Sequence, residues 1–102
     1  EDVAEGQNIS AKAKEFAQSL IKTTWENLDE IDKTVSKYLV NWSFERLAVV
    51  DRAILRTGAA ELIYFPEIPP KVTIDEYVEI AKKYSTERSP SFVNAVLDQI
   101  AK

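Results

Sequence analysis

Apolar side chains recur at helical spacing through the first 40 residues of the chain. The first run consists of Phe16, Leu20, Ile21, Thr24, Trp25 and Leu28. Intervals of three and four residues predict a helix with one apolar face, over about residues 11–27, with Ser10 as its N-cap. A second stripe consists of Leu28, Ile31, Val35, Tyr38 and Leu39. It predicts a second helix over about residues 29–40.

The third predicted helix is apolar on two sides. Ser43 is its predicted N-cap, and Trp42 and Leu47 flank that cap at the spacing of a hydrophobic staple. From there the pattern runs to about Phe65, with one stripe formed by Leu47, Val50, Ile54, Gly58, Leu62 and Phe65, and with Val49 and Ile63 nearly opposite. A helix of this kind is usually central in its bundle. Gly58 costs about 1 kcal/mol against alanine there, and we expect it to permit a close helix crossing.

Prolines and capping motifs predict the last two helices. Pro66, Pro69 and Pro70 form a stiff connector, because each disfavours a helical conformation in the residue before it. The capping box over residues 73–76 predicts a fourth helix over about residues 74–84. Ser89 as N-cap and Pro90 in the first helical position begin a fifth. The pattern therefore predicts an all-α fold, a compact bundle of about five helices, with a frayed segment at residues 1–9 and one helical domain at 10–102.

The composition argues against catalysis. The chain has 102 residues, of which 45% are hydrophobic, enough for the core of one domain. It contains no cysteine and no histidine, which excludes disulfides, thiolate metal sites, the usual catalytic triads and the commonest general base. No Gly-rich phosphate loop or EF-hand pattern is present. We therefore expect a protein that is not an enzyme and that needs no cofactor and no metal.

The hydropathy and the first residues of the chain lead to expectations about the cellular location of the protein. No apolar run approaches the roughly 20 residues that span a bilayer, and no signal peptide is recognisable. We expect a cytoplasmic protein with no membrane partner. The chain begins with Glu1 and not with methionine, which is typical of a processed or cloned fragment.

The charge is distributed unevenly along the chain. The net charge of −4 argues against a strongly electrostatic nucleic-acid binder. Residues 1–42 carry eight acids and five bases, whereas residues 43–102 carry nine acids and eight bases, including all four arginines. Arginine is the residue best suited to bidentate phosphate contacts, so an anion site is expected in the second part of the chain.

The first candidate site is the start of the fifth helix. Arg88, Ser89 and Phe92 stand together there. A helix N-terminus offers amide N–H groups to an anion, an arginine adds a phosphate contact, and an exposed ring can stack on a single-stranded base. The alternative is a phenylalanine at the edge of the core beside an ordinary solvated arginine, and the residue chemistry alone leaves both open.

The third helix carries two further candidates. Glu45, Arg52 and Arg56 share a face, which indicates either a solvated ion-pair surface or a contact with a protein partner. Asp51 and Glu61 fall within the apolar stripe, where a carboxylate needs a partner. That partner is either internal, as an ion pair or a helix cap, or a cationic residue of another protein.

Three ordered motifs resemble the NusB family of transcription antitermination factors. The first is Asn41-Trp42-Ser43-x-x-Arg46-Leu47-x-x-Val50-Asp51-Arg52-Ala53-Ile54-Leu55-Arg56, similar to the family's central helix. The second is Ile68-Pro69-Pro70-Lys71-Val72-Thr73-Ile74-Asp75-Glu76 followed by Glu79-Ile80-Ala81-Lys82-Lys83-Tyr84. The third is Phe92-Val93-Asn94-Ala95-Val96-Leu97-Asp98. The resemblance covers roughly residues 28–102. The NusB-like domain attached to RNA cytosine methyltransferases fits less well and stands as the alternative.

The resemblance implies a function and a set of sites. A NusB protein pairs with the ribosomal protein NusE and, in the transcription elongation complex, binds single-stranded boxA RNA to promote ribosomal RNA transcription. The positions implied for RNA contact are Arg88, Ser89 and Phe92, with Arg52 and Arg56 on the third helix. Those implied for the protein partner are Glu45 and Asp51.

The first 27 residues depart from the family pattern. Family members begin with an arginine-rich helix, and nothing from Glu1 to Asn27 resembles it. Two explanations stay open, a C-terminal fragment of a longer chain and a divergent protein. The departure predicts weak RNA binding, because phosphate neutralisation supplies most of the affinity. It also predicts exposed apolar surface that favours a homodimer.

Overall fold

The computed structural model describes residues 3–40 and 43–102, with side chains from residue 11 onward. Within these ranges the chain forms α1 (Val3–Glu26), α2 (Leu28–Lys37), a 3₁₀ helix (Phe44–Arg46), α3 (Val49–Tyr64), α4 (Pro70–Tyr84) and α5 (Ser89–Ala101), and no strand. The predicted all-α bundle of five helices is confirmed. None of the described helices has both the length and the apolar character that crossing a membrane requires.

Helix α3 is the centre of the bundle, as its two apolar sides predict. It packs against α1, α2, α4 and α5. Leu55, Ala59 and Ala60 are fully buried along it. A Cβ on Gly58 would lie 3.0 Å from Leu97 Cδ1 and 3.4 Å from Tyr77 Cγ. The missing side chain therefore permits the close approach of α5 and α4, which confirms the expectation of a tight crossing.

Helix α1 begins earlier than the sequence pattern predicts. It starts at Val3, so Ser10 lies inside the helix and is not its N-cap. Residues 3–10 contain no proline, and the single Gly6 costs about 1 kcal/mol, too little to stop a helix that continues to Glu26. Fraying of residues 1–9 in solution stays a prediction about stability.

Only one side of α1 packs on the bundle. Leu20 and Thr24 are buried, whereas Ile21 is 65% exposed and Trp25 is 76% exposed. The helical spacing of the apolar residues therefore predicts the helix but not which of its positions are buried. The exposed side chains of Ile21 and Trp25 form part of an apolar surface. Self-association was predicted from such a surface, and the homodimer stays a prediction.

The third predicted helix is divided in two. Leu47 and Ala48 adopt extended backbone conformations between the 3₁₀ helix and α3. Ser43 precedes the 3₁₀ helix and makes no side-chain cap, and the predicted staple residue Trp42 lies outside the described residues. The break turns the chain, so the 3₁₀ helix packs against α2 and does not extend α3.

Helix α4 begins before its predicted cap, and α5 begins at the residue predicted as its cap. Pro70 is the first residue of α4, a position where the missing N–H costs nothing. Thr73 is therefore not an N-cap but a fully buried residue of the first turn. In α5 the N-cap is Arg88, and Ser89 is already helical.

Candidate nucleic-acid interface

A pocket of about 500 Å³ opens where the 3₁₀ helix, the start of α3 and the start of α5 meet. The residues that line it are Arg46, Leu47, Ala48, Asp51, Thr86, Arg88, Ser89 and Phe92. The structure thus brings together three residues predicted for RNA contact, Arg88, Ser89 and Phe92, with Asp51. Arg46 was not singled out from the sequence, because its place in the pocket depends on the chain turn at Leu47 and Ala48.

Asp51 forms the buried base of this pocket. Its Oδ1 accepts a hydrogen bond from the Ser85 hydroxyl at 2.6 Å, and its Oδ2 accepts one from the Ser89 hydroxyl at 3.1 Å. The Ser89 oxygen also lies 2.9 Å from the hydroxyl oxygens of Ser85 and of Thr86. Asp51 therefore ties both ends of the α4–α5 loop to α3. The sequence left open whether Asp51 pairs within the chain or with another protein. In the structure its partners are internal, and one of them, Ser89, lies in the first turn of α5.

Ser89 is part of the scaffold of the pocket. Its side chain is almost fully buried in the Asp51 network, and its backbone N–H donates to the Thr86 carbonyl at 3.1 Å. Pro90, the next residue, has no N–H. The first turn of α5 therefore offers an anion fewer amide groups than the sequence suggested, and the direct role predicted for Ser89 in RNA binding stays a prediction.

Arg46, Arg88 and Phe92 supply the accessible chemistry of the pocket. The side chains of Arg46 and Arg88 are exposed, and neither donates a hydrogen bond to, or forms an ion pair with, any described residue. Phe92 is half-buried and packs on the edge of the core. An anchored ring and two guanidinium groups therefore border the same cavity, an arrangement that suits an anion carrying a flat aromatic group.

Arg52 and Arg56 lie elsewhere, in a groove of about 570 Å³ between α2, the 3₁₀ helix and α3. Arg56 Nε and Nη2 each donate to a carboxylate oxygen of Asp32 at 2.8 Å. The Arg56 guanidinium also stands 4.9 Å from the centroid of the Phe44 ring. The hydrogen bonds to Asp32 raise the pKa of Arg56. Arg52 donates to the backbone carbonyl of Glu45 at 3.2 Å.

The structure therefore divides the five residues predicted for RNA contact into two places. Arg88, Ser89 and Phe92 share the first pocket, while Arg52 and Arg56 share the second groove with Glu45. Glu45 is exposed and belongs to the 3₁₀ helix, not to α3 as predicted. The roles of Arg52, Arg56 and Glu45 in binding stay predictions.

Substitution of Arg56 by glutamine should destabilise the fold. The variant loses the bidentate pair with Asp32 and the contact with the Phe44 ring, which together should lower the free energy of unfolding by about 1 kcal/mol because the pair is partly exposed. Urea denaturation measures this change. Lys33→Gln removes a charge from the same groove and is the control, and an equal stability of the two variants would contradict a structural role for Arg56.

Glu61 is a second buried carboxylate of α3. It accepts hydrogen bonds from the Thr73 hydroxyl at 2.7 Å and from the Tyr77 hydroxyl at 3.2 Å, both on α4. Burial raises the pKa of Tyr77, and the charge of Glu61 raises it further, so the tyrosine keeps its proton and remains a donor. Glu61 thus also has an internal partner, and it fixes α4 on α3.

Comparison with known proteins identifies relatives along the entire chain. A family model described as the NusB family matches residues 1–102. The transcription antitermination protein NusB of Nitratiruptor sp. is 48% identical over 102 residues, which are 100% of this chain and 73% of the relative. That of Thermotoga maritima is 54% identical over 91 residues, 89% of this chain and 64% of the relative.

Solved structures give the same result. A structure of T. maritima NusB has a TM-score of 0.85 at 53% identity, with 88% of this chain and 63% of that chain covered. A complex of the antitermination factors NusB and NusE with double-stranded RNA contains a chain with a TM-score of 0.78 at 32% identity, with 99% of this chain and 80% of that chain covered. The chain thus spans about two thirds of the length of the curated relatives given above.

Proposed function

The chain belongs to the NusB family, and on that premise we propose that it is a non-catalytic subunit of a transcription antitermination complex. It binds ribosomal protein NusE and single-stranded boxA RNA in the elongation complex, and thereby promotes transcription of ribosomal RNA in the cytoplasm. The observation that carries the RNA part of the proposal is the pocket that holds Arg88 and Phe92.

The chemistry of the pocket favours single-stranded RNA over a duplex. An unpaired base can stack on the Phe92 ring while the adjacent phosphate binds the Arg88 guanidinium. In a duplex the bases are stacked on one another and cannot enter a cavity of this kind. The net charge of −4 limits the affinity of the isolated chain, so tight binding is expected only in the presence of NusE.

We propose Glu45 as a contact of the protein partner, because its carboxylate is exposed beside the second groove. Asp51 is the other residue that the family resemblance assigned to the partner. Both of its oxygens accept hydrogen bonds within the chain. A partner would therefore meet Asp51 only at the cost of those hydrogen bonds, and Glu45 is the more accessible of the two.

Phe92→Ala should weaken RNA binding. The variant removes the ring on which a base stacks, and loss of one stacked base costs about 1–3 kcal/mol, or roughly five- to 150-fold in affinity. The measurement is a fluorescence anisotropy titration of labelled single-stranded boxA RNA against the chain with NusE at a fixed, saturating concentration.

The matched control for this variant is Tyr84→Ala. Tyr84 is an exposed aromatic residue at the end of α4 and does not line the pocket. Both variants are checked for folding by circular dichroism. An affinity of folded Phe92→Ala that equals the affinity of Tyr84→Ala would show that RNA does not stack on Phe92, and the proposed site would be wrong.

A further inference from the structure

We infer that Arg46 is a second RNA-binding residue, which contacts a backbone phosphate of the nucleotide whose base stacks on Phe92. The inference deepens the proposed function and rests on it. Arg46 reaches the pocket from the 3₁₀ helix, whereas Arg88 reaches it from the α4–α5 loop. The two guanidinium groups therefore come from separate segments of the chain and border one cavity.

The four arginines form two groups, those whose side chains bind acceptors within the chain and those whose side chains do not bind any described residue. Arg56 is bound bidentately to Asp32, and Arg52 donates to the Glu45 carbonyl. Arg46 and Arg88 form no such contact with the described residues, and both side chains are exposed. A guanidinium without a protein acceptor presents its full set of five donors to a ligand. The pair at the pocket is therefore available to an anion at no cost in hydrogen bonds to residues 3–40 and 43–102.

The backbone at Arg46 is held firmly although its side chain is exposed. Phe44 and Leu47, on either side of it, are both buried in the core. The Arg46 N–H donates to the Ser43 carbonyl at 3.0 Å, and the Leu47 N–H donates to the Phe44 carbonyl at 3.2 Å. A side chain that starts from a fixed position loses less entropy when it binds. The turn before α3 thus positions Arg46 at the pocket in advance.

The acidic residue of the pocket forms no ion pair with these arginines among the described residues. Asp51 is the one carboxylate among the described residues that line the cavity, and hydroxyl groups of Ser85 and Ser89 occupy its oxygens. Hydrogen bonds from neutral hydroxyls stabilise the carboxylate without a cation. Two positive groups therefore face the solvent beside one buried negative group.

The cavity fits one nucleotide of a single strand. Its volume of about 500 Å³ lies in the range of small-ligand sites, and Leu47, Ala48 and Phe92 give it an apolar wall. A ligand that combines a flat ring with more than one negative charge satisfies all of these features. Among the candidates for such a ligand, a base with its 5′ and 3′ phosphates matches two arginines better than a single phosphate does.

The test compares Arg46→Gln, Arg88→Gln, the double variant and Lys71→Gln. The last removes one exposed charge at the start of α4, away from the pocket. Affinity for single-stranded boxA RNA is measured with NusE present and at several salt concentrations. We expect each arginine variant to bind about tenfold more weakly, as for the loss of a charged hydrogen bond. Each should also make the negative slope of log K against log salt concentration shallower by about 0.7. We expect no comparable change in Lys71→Gln.

The outcomes separate this inference from the proposed function. If the unaltered chain with NusE does not bind the RNA, the proposed function fails. If Arg88→Gln binds weakly while Arg46→Gln equals Lys71→Gln, the inference about Arg46 is overturned and the proposed function stands. A loss of affinity in folded Arg46→Gln with an unchanged salt slope also overturns it, because that result describes a structural effect and not a phosphate contact.

Discussion

Truncation of Leu55 to alanine should lower the free energy of unfolding by about 2–5 kcal/mol, which is a large share of the stability of a domain of this size. Leu55 is 0% exposed and lies in the middle of α3, the helix that packs against all the others. The surrounding helices can close the cavity only by moving relative to one another. Chemical denaturation followed by circular dichroism measures the change.

Ile63→Ala is the matched control on the same helix. Ile63 is 39% exposed, so its truncation should cost about 1 kcal/mol or less. Equal costs for the two variants would mean that the packing around Leu55 relaxes freely, and the central position assigned to α3 would not hold in solution.

Asp51→Ala should reduce both the stability of the fold and the affinity for RNA. The variant leaves the hydroxyls of Ser85 and Ser89 without their carboxylate acceptor, and an unsatisfied buried polar group costs about 1–3 kcal/mol. Because the same hydrogen bonds hold the α4–α5 loop, Arg88 should also lose its fixed position beside the pocket. Urea denaturation and the RNA titration with NusE measure the two effects.

Two further variants make the Asp51 result specific. Asp75→Ala removes an exposed carboxylate of α4 and should change neither quantity by much. Asp51→Asn keeps one acceptor oxygen and should fall between the unaltered chain and Asp51→Ala in both measurements. If Asp51→Ala matches Asp75→Ala in stability, the carboxylate does not hold the loop, and the account of the pocket given above is incorrect.

Helix content and helix order follow from the sequence because both depend on local periodicity. The starts of the helices do not, since they depend on packing between helices. Thr73 has the spacing of an N-cap, but its hydroxyl donates to the buried carboxylate of Glu61, twelve residues earlier on α3. Leu47 and Ala48 have no residue type that forbids a helix, and yet the chain is extended there so that the 3₁₀ helix can pack against α2.

Some residues of the candidate site are predicted by a local sequence motif, and others are brought to it only by the fold. Arg88 and Phe92 are only four residues apart, so a sequence motif finds them. Arg46 joins them only through the fold, and nothing in its neighbours in sequence distinguishes it from Arg52. The acceptor of Arg56 is Asp32, 24 residues earlier and on another helix. The spacing of residues within one helix therefore cannot predict this ion pair.

The one-sided attachment of α1 has a consequence for how the molecule opens. Every residue of the pocket lies between Arg46 and Phe92, whereas α1 buries Leu20 and Thr24 and leaves Ile21 and Trp25 in solvent. Segments with few buried contacts exchange and unfold locally at a lower free energy than the rest of a domain. We therefore expect helix α1 to open at a lower free energy than the part of the chain that holds the pocket, so that the shape of the proposed binding site does not depend on the attachment of the first helix.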